Sequence, residues 1–398
     1  MPDSTVLKAP ISTAADAPGS KPPVAIIDPQ PPTSPEVRAL LNDVANKLKL
    51  SFAMAAAGHK PAEADATDKL FQSLIASRPA AARARAQARA SSMLAGPAAT
   101  RQNFFGRYGA VEASSFRGVD KASAGLTAMK VDGAKVRKAL QAFGENETVI
   151  TEAPPTAFAA KTRKLTIDLK KIRKLPQADP DVVAGAKFKK LGLFINAVQC
   201  LEETNEIGSD EIAMGGTATN PNGKTVKVGQ FMIHDDFDKG EKKTYSGRGK
   251  LFHEWNLVTS NDWPHTYAAI MVMAEKDGGG FGDFLTDLWH KVDDEVKKAV
   301  AGAVGGAIGA ALGSFFGPLG TAIGAAVGWL LGLLVDWILS LFEDDIVATR
   351  TVLLVLGAAT KSYYDWAGLT ANPANKFSMN FNGDGGRYRV WCSLSVYA

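Results

Sequence analysis

The sequence predicts an α+β multidomain protein. A helical and partly disordered N-terminal region precedes a C-terminal antiparallel β-sandwich, into which an apolar helical hairpin is inserted. Apolar residues recur at helical spacing in the first half, whereas short alternating segments separated by turn residues dominate the second half. An uncharged run of 37 residues, Ala299 to Val335, interrupts those segments. A chain of 398 residues has room for two or three domains.

Charge is divided unevenly between the two halves. Residues 1–185 carry 26 Lys and Arg against 17 Asp and Glu, whereas residues 186–398 carry 19 against 24. This asymmetry indicates two modules with different partners. The first residues have neither a charged nor an apolar signal-peptide region, so we expect export by a route independent of a Sec signal, or membrane association from the cytoplasm.

Residues 1–35 are rich in Pro, Ala, Ser and Asp and predict a disordered leader that serves as an export or particle-loading tag. Residues 36–185 predict a basic, mainly helical region. Ser34 and Pro35 are an N-cap and a first helical residue. The alanine-rich segment Ala80–Ala95 predicts a solvated linker helix, because its arginines lack the interleaved aromatic residues of nucleic-acid binding proteins.

Eight strand-like segments predict the sandwich of residues 186–398. The last is the clearest, because Tyr388 to Val396 alternate apolar and polar side chains after a glycine-rich turn. The eight segments are Leu191–Leu201, Glu211–Gly215, Val226–His234, Lys250–Val258, Thr266–Ala274, Val347–Leu356, Lys376–Asn380 and Arg387–Val396.

The hairpin is predicted within residues 293–345, with legs Ala299–Phe316 and Leu319–Phe342 joined by a turn at Gly317-Pro318. Glycine at every fourth position gives each leg a small-residue face, which allows close helix association in lipid. Asp336 is the one ionisable residue in the apolar stretch. The residues expected to insert are Gly305, Gly309, Gly313, Phe315, Phe316, Gly317, Pro318, Gly320, Gly324, Gly328, Trp329, Gly332 and Trp337. A buried helix pair in a soluble core remains the alternative.

Acidic clusters follow the first and fifth strands and the hairpin. Carboxylates gathered on adjacent loops suit calcium, which takes six to eight oxygen ligands. The Gly208-Ser209-Asp210 turn and the carboxylates near Asp277 and Asp345 resemble the loops of the C2 family, the calcium- and phospholipid-binding β-sandwiches. The resemblance covers residues 188–398 without the hairpin, and it lacks the family's usual proline after Asp210. It implies five calcium ligands: Glu206, Asp210, Glu275, Asp277 and Asp345.

Enzymatic motifs are missing from the sequence. The five histidines have no zinc-binding spacing, and the chain has neither a P-loop nor a nucleophile elbow. Two cysteines, Cys200 and Cys392, are too few for a disulfide framework, and both predict buried free thiols.

These patterns predict a non-enzymatic membrane-inserting protein, such as a pore-forming toxin or exported effector, that acts on a lipid bilayer and forms homo-oligomers through its glycine faces. The alternative is a structural or adaptor protein of a secretion or injection particle, with the hairpin buried in a partner or serving as an anchor. Neither interpretation involves nucleic acid, and calcium is the one expected cofactor.

Overall fold

The computed structural model describes most of the chain, and the statements below concern only these residues. They are 24–27, 32, 34–127, 129–146, 148–150, 164–166, 188–204, 210–258, 264–275, 281–304, 317–342, 348–357, 364, 369–370, 376–383 and 385–398.

The described chain is α+β, with eight α-helices and two larger antiparallel sheets. The helices are α1 (Pro35–Ala56), α2 (Ala66–Ala76), α3 (Ala80–Ala95), α4 (Ala98–Phe105), α5 (Val119–Ala124), α6 (Gly133–Asn146), α7 (Phe281–Val304) and α8 (Gly317–Phe342). The strands are β1 (Val24–Ile27), β2 (Thr148–Ile150), β3 (Lys164–Thr166), β4 (Lys190–Glu202), β5 (Asp210–Thr219), β6 (Thr225–Phe237), β7 (Lys242–Thr244), β8 (Lys250–Asn256), β9 (His265–Glu275), β10 (Ala348–Leu356), β11 (Lys376–Gly383) and β12 (Gly386–Tyr397).

Helix α1 begins as the sequence predicts. The Ser34 side chain accepts a hydrogen bond from the Val37 amide, and Pro35 occupies the first helical position, where a missing N–H costs nothing. Its predicted apolar stripe is confirmed, because all of its members are buried: Val37, Leu40, Leu41, Val44 and Leu48. This stripe ties α1 to the other helices through one continuous apolar core.

Each of the eight predicted strand segments coincides with an observed strand. Sheet 1 has the order β1-β10-β9-β5-β6, and sheet 2 has the order β11-β12-β4-β7, with β8 also pairing with β4. The two sheets face each other across a second apolar core. Tyr388, Val390 and Cys392 of β12 point into that core, as their alternation predicts.

The central strands of sheet 1, β9 and β10, are buried on both faces. On strand β9, Tyr267, Ala269 and Met271 contribute to the core between the sheets, whereas Ile270 and Val272 contribute to the core shared with the helices. The architecture therefore has three layers: helices, sheet 1 and sheet 2. Helices α7 and α8 lie between β9 and β10 in the chain and belong to the helical layer.

Three boundary predictions were wrong. Strand β1 lies within residues 1–35, where we predicted a disordered leader, because its β-branched, apolar sequence pairs with Leu353–Leu356 of β10. Helix α7 begins at Phe281, 18 residues before the predicted start, because its charged first part is amphipathic and buries Leu288 and Trp289.

The third correction concerns the predicted turn at Gly317-Pro318. Both residues are the first two of helix α8. Proline is compatible with this position, because the first amide groups of a helix have no intrahelical acceptor.

Candidate functional site

Helix α8 is the most apolar element of the described chain. It has 26 residues, and Asp336 is its single ionisable side chain. Among the described residues, one segment, Ala322–Phe342, is long and apolar enough to cross a membrane. Most of this segment is buried within the protein, and the core helix of a soluble protein would meet the same criteria.

The N-terminal helices cover α8 from the side opposite to sheet 1. We call the helices α1, α2, α3, α5 and α6 the sheath. The side chain of Phe52 on α1 is fully buried, and its ring lies edge-on to two rings of α8, 5.8 Å from Trp337 and 5.8 Å from Phe342. It also lies 5.3 Å from Phe71 of α2, so one residue joins three helices through aromatic contacts.

Trp337 was predicted to lie at a lipid headgroup layer. In this structure the sheath covers its ring, with the Lys49 ammonium 5.5 Å from the ring centroid. The pKa of Lys49 is lowered by its burial. A lysine placed in this way gives up part of its hydration for a cation–π contact.

Arginines of the sheath hydrogen-bond to carbonyl groups at the ends of α7 and α8. Arg85 donates from Nε to the Phe342 carbonyl at 2.8 Å, and Arg89 donates to the Ser340 carbonyl. The last carbonyls of a helix lack intrahelical donors, and α8 has no basic residue in its own last turn. The prediction that Ala80–Ala95 is a solvated linker is therefore wrong: α3 packs through Ala82, Ala86 and Ala90 and caps α8.

The end of α7 is held in the same way by α6. Arg137 donates from Nη2 to the carbonyl of Val304, the last described residue of α7, at 2.9 Å. The two backbones approach closely here, since a Cβ atom added to Gly133 would lie 1.9 Å from the Ala303 carbonyl oxygen. Only glycine fits at that position without moving one of the helices.

An ionic cluster joins the sheath to the middle of α7. Lys47 of α1 contacts Glu295 Oε2 at 2.8 Å and Asp120 Oδ1 of α5 at 2.7 Å. Burial raises the pKa of Glu295, but the hydrogen bond from Lys47 and the charges of Lys47 and Lys291 outweigh it and lower the pKa to about 2. Glu295 is therefore a charged, paired carboxylate inside a mainly apolar interface.

Helix α8 lies close to sheet 1 at Gly328. The Thr351 hydroxyl of β10 donates to the Gly328 carbonyl at 3.2 Å, and Gly320 and Gly324 are also buried. Gly332 differs, because a Cβ atom added there would meet nothing within 4 Å. At Gly328 the small residue thus has a use in the folded protein that the sequence interpretation missed, since it lets the helix backbone lie close to a strand.

The other predicted hairpin residues are placed as follows. Trp329 is partly buried in the helical layer, and Gly317 and Pro318 begin α8. Gly305, Gly309, Gly313, Phe315 and Phe316 lie outside the described residues.

The predicted calcium ligands are described only in part. Asp210 is buried at the start of β5, where one oxygen accepts a hydrogen bond from the Thr204 hydroxyl at 2.8 Å and the other accepts bonds from the Thr204 amide and the Tyr388 hydroxyl. Glu275 ends β9. Glu206, Asp277 and Asp345 lie outside the described residues. No group of three or more His, Cys, Asp or Glu in the described part could hold a metal ion.

Both cysteines are free and buried, as predicted. Burial raises the pKa of the Cys200 thiol to about 11, and burial also raises the pKa of the Cys392 thiol. Both groups are therefore protonated at neutral pH and contribute to the core between the sheets.

No protein family model, curated protein or solved structure matches this chain.

Proposed function

We propose that this protein keeps the apolar helix α8 beneath the sheath and inserts α8, together with the uncharged segment before it (residues 299–316), into a lipid bilayer as a hairpin. The observation that carries the proposal is the pairing of α8, which is apolar on all sides, with a cover of amphipathic helices supplied by one stretch of chain, residues 35–146. A helix without a polar face is stable either inside a large core or in hydrocarbon. A removable cover would give the same helix access to both environments.

The dimensions support insertion. Twenty-six residues at about 1.5 Å each extend for about 39 Å, which is longer than the roughly 30 Å hydrocarbon layer. The sheath contacts α7 and α8 through polar groups at their ends and edges as well as through aromatic packing. The arginine caps and the Lys47 cluster use groups that water or lipid headgroups can replace once the helices separate.

The C2-like character of the two sheets and the insertion of the hairpin in its third loop belong to the same proposal. Sheet 2 and the inner face of sheet 1 would form the module that brings the hairpin to the membrane. The proposed insertion does not invoke calcium, and the carboxylate of Asp210 has hydrogen-bond donors for both oxygens without a metal ion. Comparing vesicle binding with calcium and with chelator tests whether the loop acids add a metal-dependent step.

Gly332 allows a sharp test, since it is open in the folded protein and lies on the glycine face of α8. We expect the full chain to release dye from anionic vesicles and Gly332→Leu to reduce that release at least fivefold without lowering the stability of the soluble protein. Tryptophan fluorescence, to which Trp329 and Trp337 contribute among the seven tryptophans of the chain, should shift to the blue on vesicle addition.

Absence of dye release and of any fluorescence shift, at every pH and calcium level, would overturn the proposal. Helix α8 would then be a permanent core helix, as in the alternative of a buried helix pair in a soluble core. A fluorescence shift without dye release would instead support an anchor and refute a pore.

A further inference from the structure

One buried lysine of the sheath forms an ion pair with α7. We call Lys47, Asp120 and Glu295 the ionic clasp. The Lys47 side chain is only 11% exposed and holds Asp120 at 2.7 Å and Glu295 at 2.8 Å. Burial lowers the pKa of Lys47, but hydrogen bonds to Asp120 and Glu295 outweigh this effect and raise it. The ammonium therefore stays charged throughout the physiological range.

Glu295 has further partners on its own helix. Lys291 Nζ lies 3.1 Å and Lys298 Nζ lies 3.3 Å from its Oε1 atom. Lys47 occupies the other oxygen, so each carboxylate oxygen has at least one cationic partner. Of these three contacts of Glu295, the one with Lys47 joins the sheath to α7, whereas those with Lys291 and Lys298 lie within α7.

This arrangement divides cleanly when the layers separate. Lys47 would leave with Asp120, because both belong to the sheath, and Glu295 would keep Lys291 and Lys298. Breaking an isolated buried ion pair is strongly unfavourable, mostly because one charge stays buried without a partner. Here Lys47 keeps Asp120, and Glu295 keeps Lys291 and Lys298, so separation leaves no charge of the clasp without a partner. The clasp therefore stabilises the closed form without preventing opening.

We propose that the ionic clasp is an autoinhibitory latch, which keeps the sheath on α7 and α8 and sets how often the sheath opens. This inference rests on the proposed insertion of the hairpin and identifies its regulatory contact. At the clasp itself, opening exchanges the Lys47–Glu295 contact for hydration of both groups, while the aromatic contacts and arginine caps of the sheath break at the same time. A negatively charged lipid surface would favour the open form, because it would attract the released lysines.

The test uses hydrogen exchange of the full-length protein in solution, without vesicles. Lys47→Met removes the contact between layers, while Lys298→Met removes a contact to the same carboxylate within α7. We expect Lys47→Met to accelerate amide exchange in α7 and α8 at least about tenfold, with less than twofold change in Lys298→Met. Lys47→Arg keeps a positive charge at this position and should stay within threefold of the wild type.

Equal exchange rates in Lys47→Met and Lys298→Met would overturn the latch, as would equal acceleration in the strands of sheet 2, which would indicate general destabilisation. Should Lys47→Met not fold, Asp120→Asn weakens the clasp from its exposed side and is expected to give a smaller acceleration, confined to the same helices.

Measuring dye release from vesicles beside hydrogen exchange distinguishes the proposed latch from the proposed insertion of the hairpin. Faster exchange in Lys47→Met with no dye release from any variant would support the latch and refute insertion. Dye release by the wild type, with unchanged exchange in Lys47→Met, would support insertion and refute the latch.

Discussion

Replacing Phe52 by alanine should separate the sheath from α8 more effectively than any other single truncation in α1. The side chain is fully buried and lies 5.3–5.8 Å from three other rings. Phe→Ala substitutions in cores cost about 3–5 kcal/mol. We expect a value in this range, because the neighbouring rings lie on two different helices, Phe71 on α2 and Trp337 and Phe342 on α8, and cannot all move into the cavity.

Urea denaturation of the full chain, followed by far-UV circular dichroism, measures this cost. Phe52→Leu keeps much of the volume and should cost about 1–2 kcal/mol. Phe104→Ala is the matched control: that ring is 37% exposed, and its removal should cost about 1 kcal/mol or less. If Phe52→Ala costs no more than Phe104→Ala, the packing of the sheath on α8 described above is wrong.

Two further predictions concern the same interface. Gly133→Ala should destabilise the protein by about 1–3 kcal/mol, because the new methyl group would overlap the backbone of α7. Gly332→Ala should instead stabilise it by up to about 1 kcal/mol through helix propensity. Thermal unfolding measures both changes in stability, and changes of the same sign would contradict the close approach of α6 and α7. The pKa of Glu295 is lowered from 4.5 to about 2, so its ionisation contributes about 3 kcal/mol to the free energy of unfolding. This contribution is fully present above pH 4.5 and is lost as the pH falls towards 2. Stability of Glu295→Gln should lack this dependence, and identical pH profiles from 2 to 5 would refute the pairing.

The sandwich could be predicted from the sequence because its signals are local. Each strand alternates or carries a run of β-branched residues, and turn residues separate one strand from the next. The clearest example is β12, whose inward residues Tyr388 to Val396 all reach the core as their alternation predicts. Ser393 and Ser395 are also buried, although they lie on the opposite face, because only the tertiary packing covers that side.

The placement of α8 could not be predicted in this way. An uncharged glycine-rich helix has the same sequence whether lipid, a sheet or another helix surrounds it. The cover comes from residues more than 170 positions away. Its contacts from Phe52 to Trp337 and from Arg85 to the Phe342 carbonyl produce no periodic pattern in the sequence. Arginines in an alanine-rich helix are typical of a solvated surface, and only the fold shows that they meet a helix end.

The candidate metal site illustrates the same limit. Asp210 stands in a loop-like acidic stretch, so the sequence favours an open ligand. The structure places it next to Tyr388, which lies 178 positions further along the chain and donates a hydrogen bond to it. Proximity of this kind depends on sheet pairing between β4 and β12 and on the facing of the two sheets.

Because β9 and β10 of sheet 1 are apolar on the face towards the helices as well as on the face towards sheet 2, departure of the hairpin would leave an exposed apolar surface. Ile270, Val272, Leu353 and Val355 would then lie open to water. Large exposed apolar surfaces promote association. This one would bind the rest of the protein to the bilayer or bind another copy of the chain. Release of the hairpin from sheet 1 would therefore make the protein bind to a membrane or to another copy, even before any helix had crossed the bilayer.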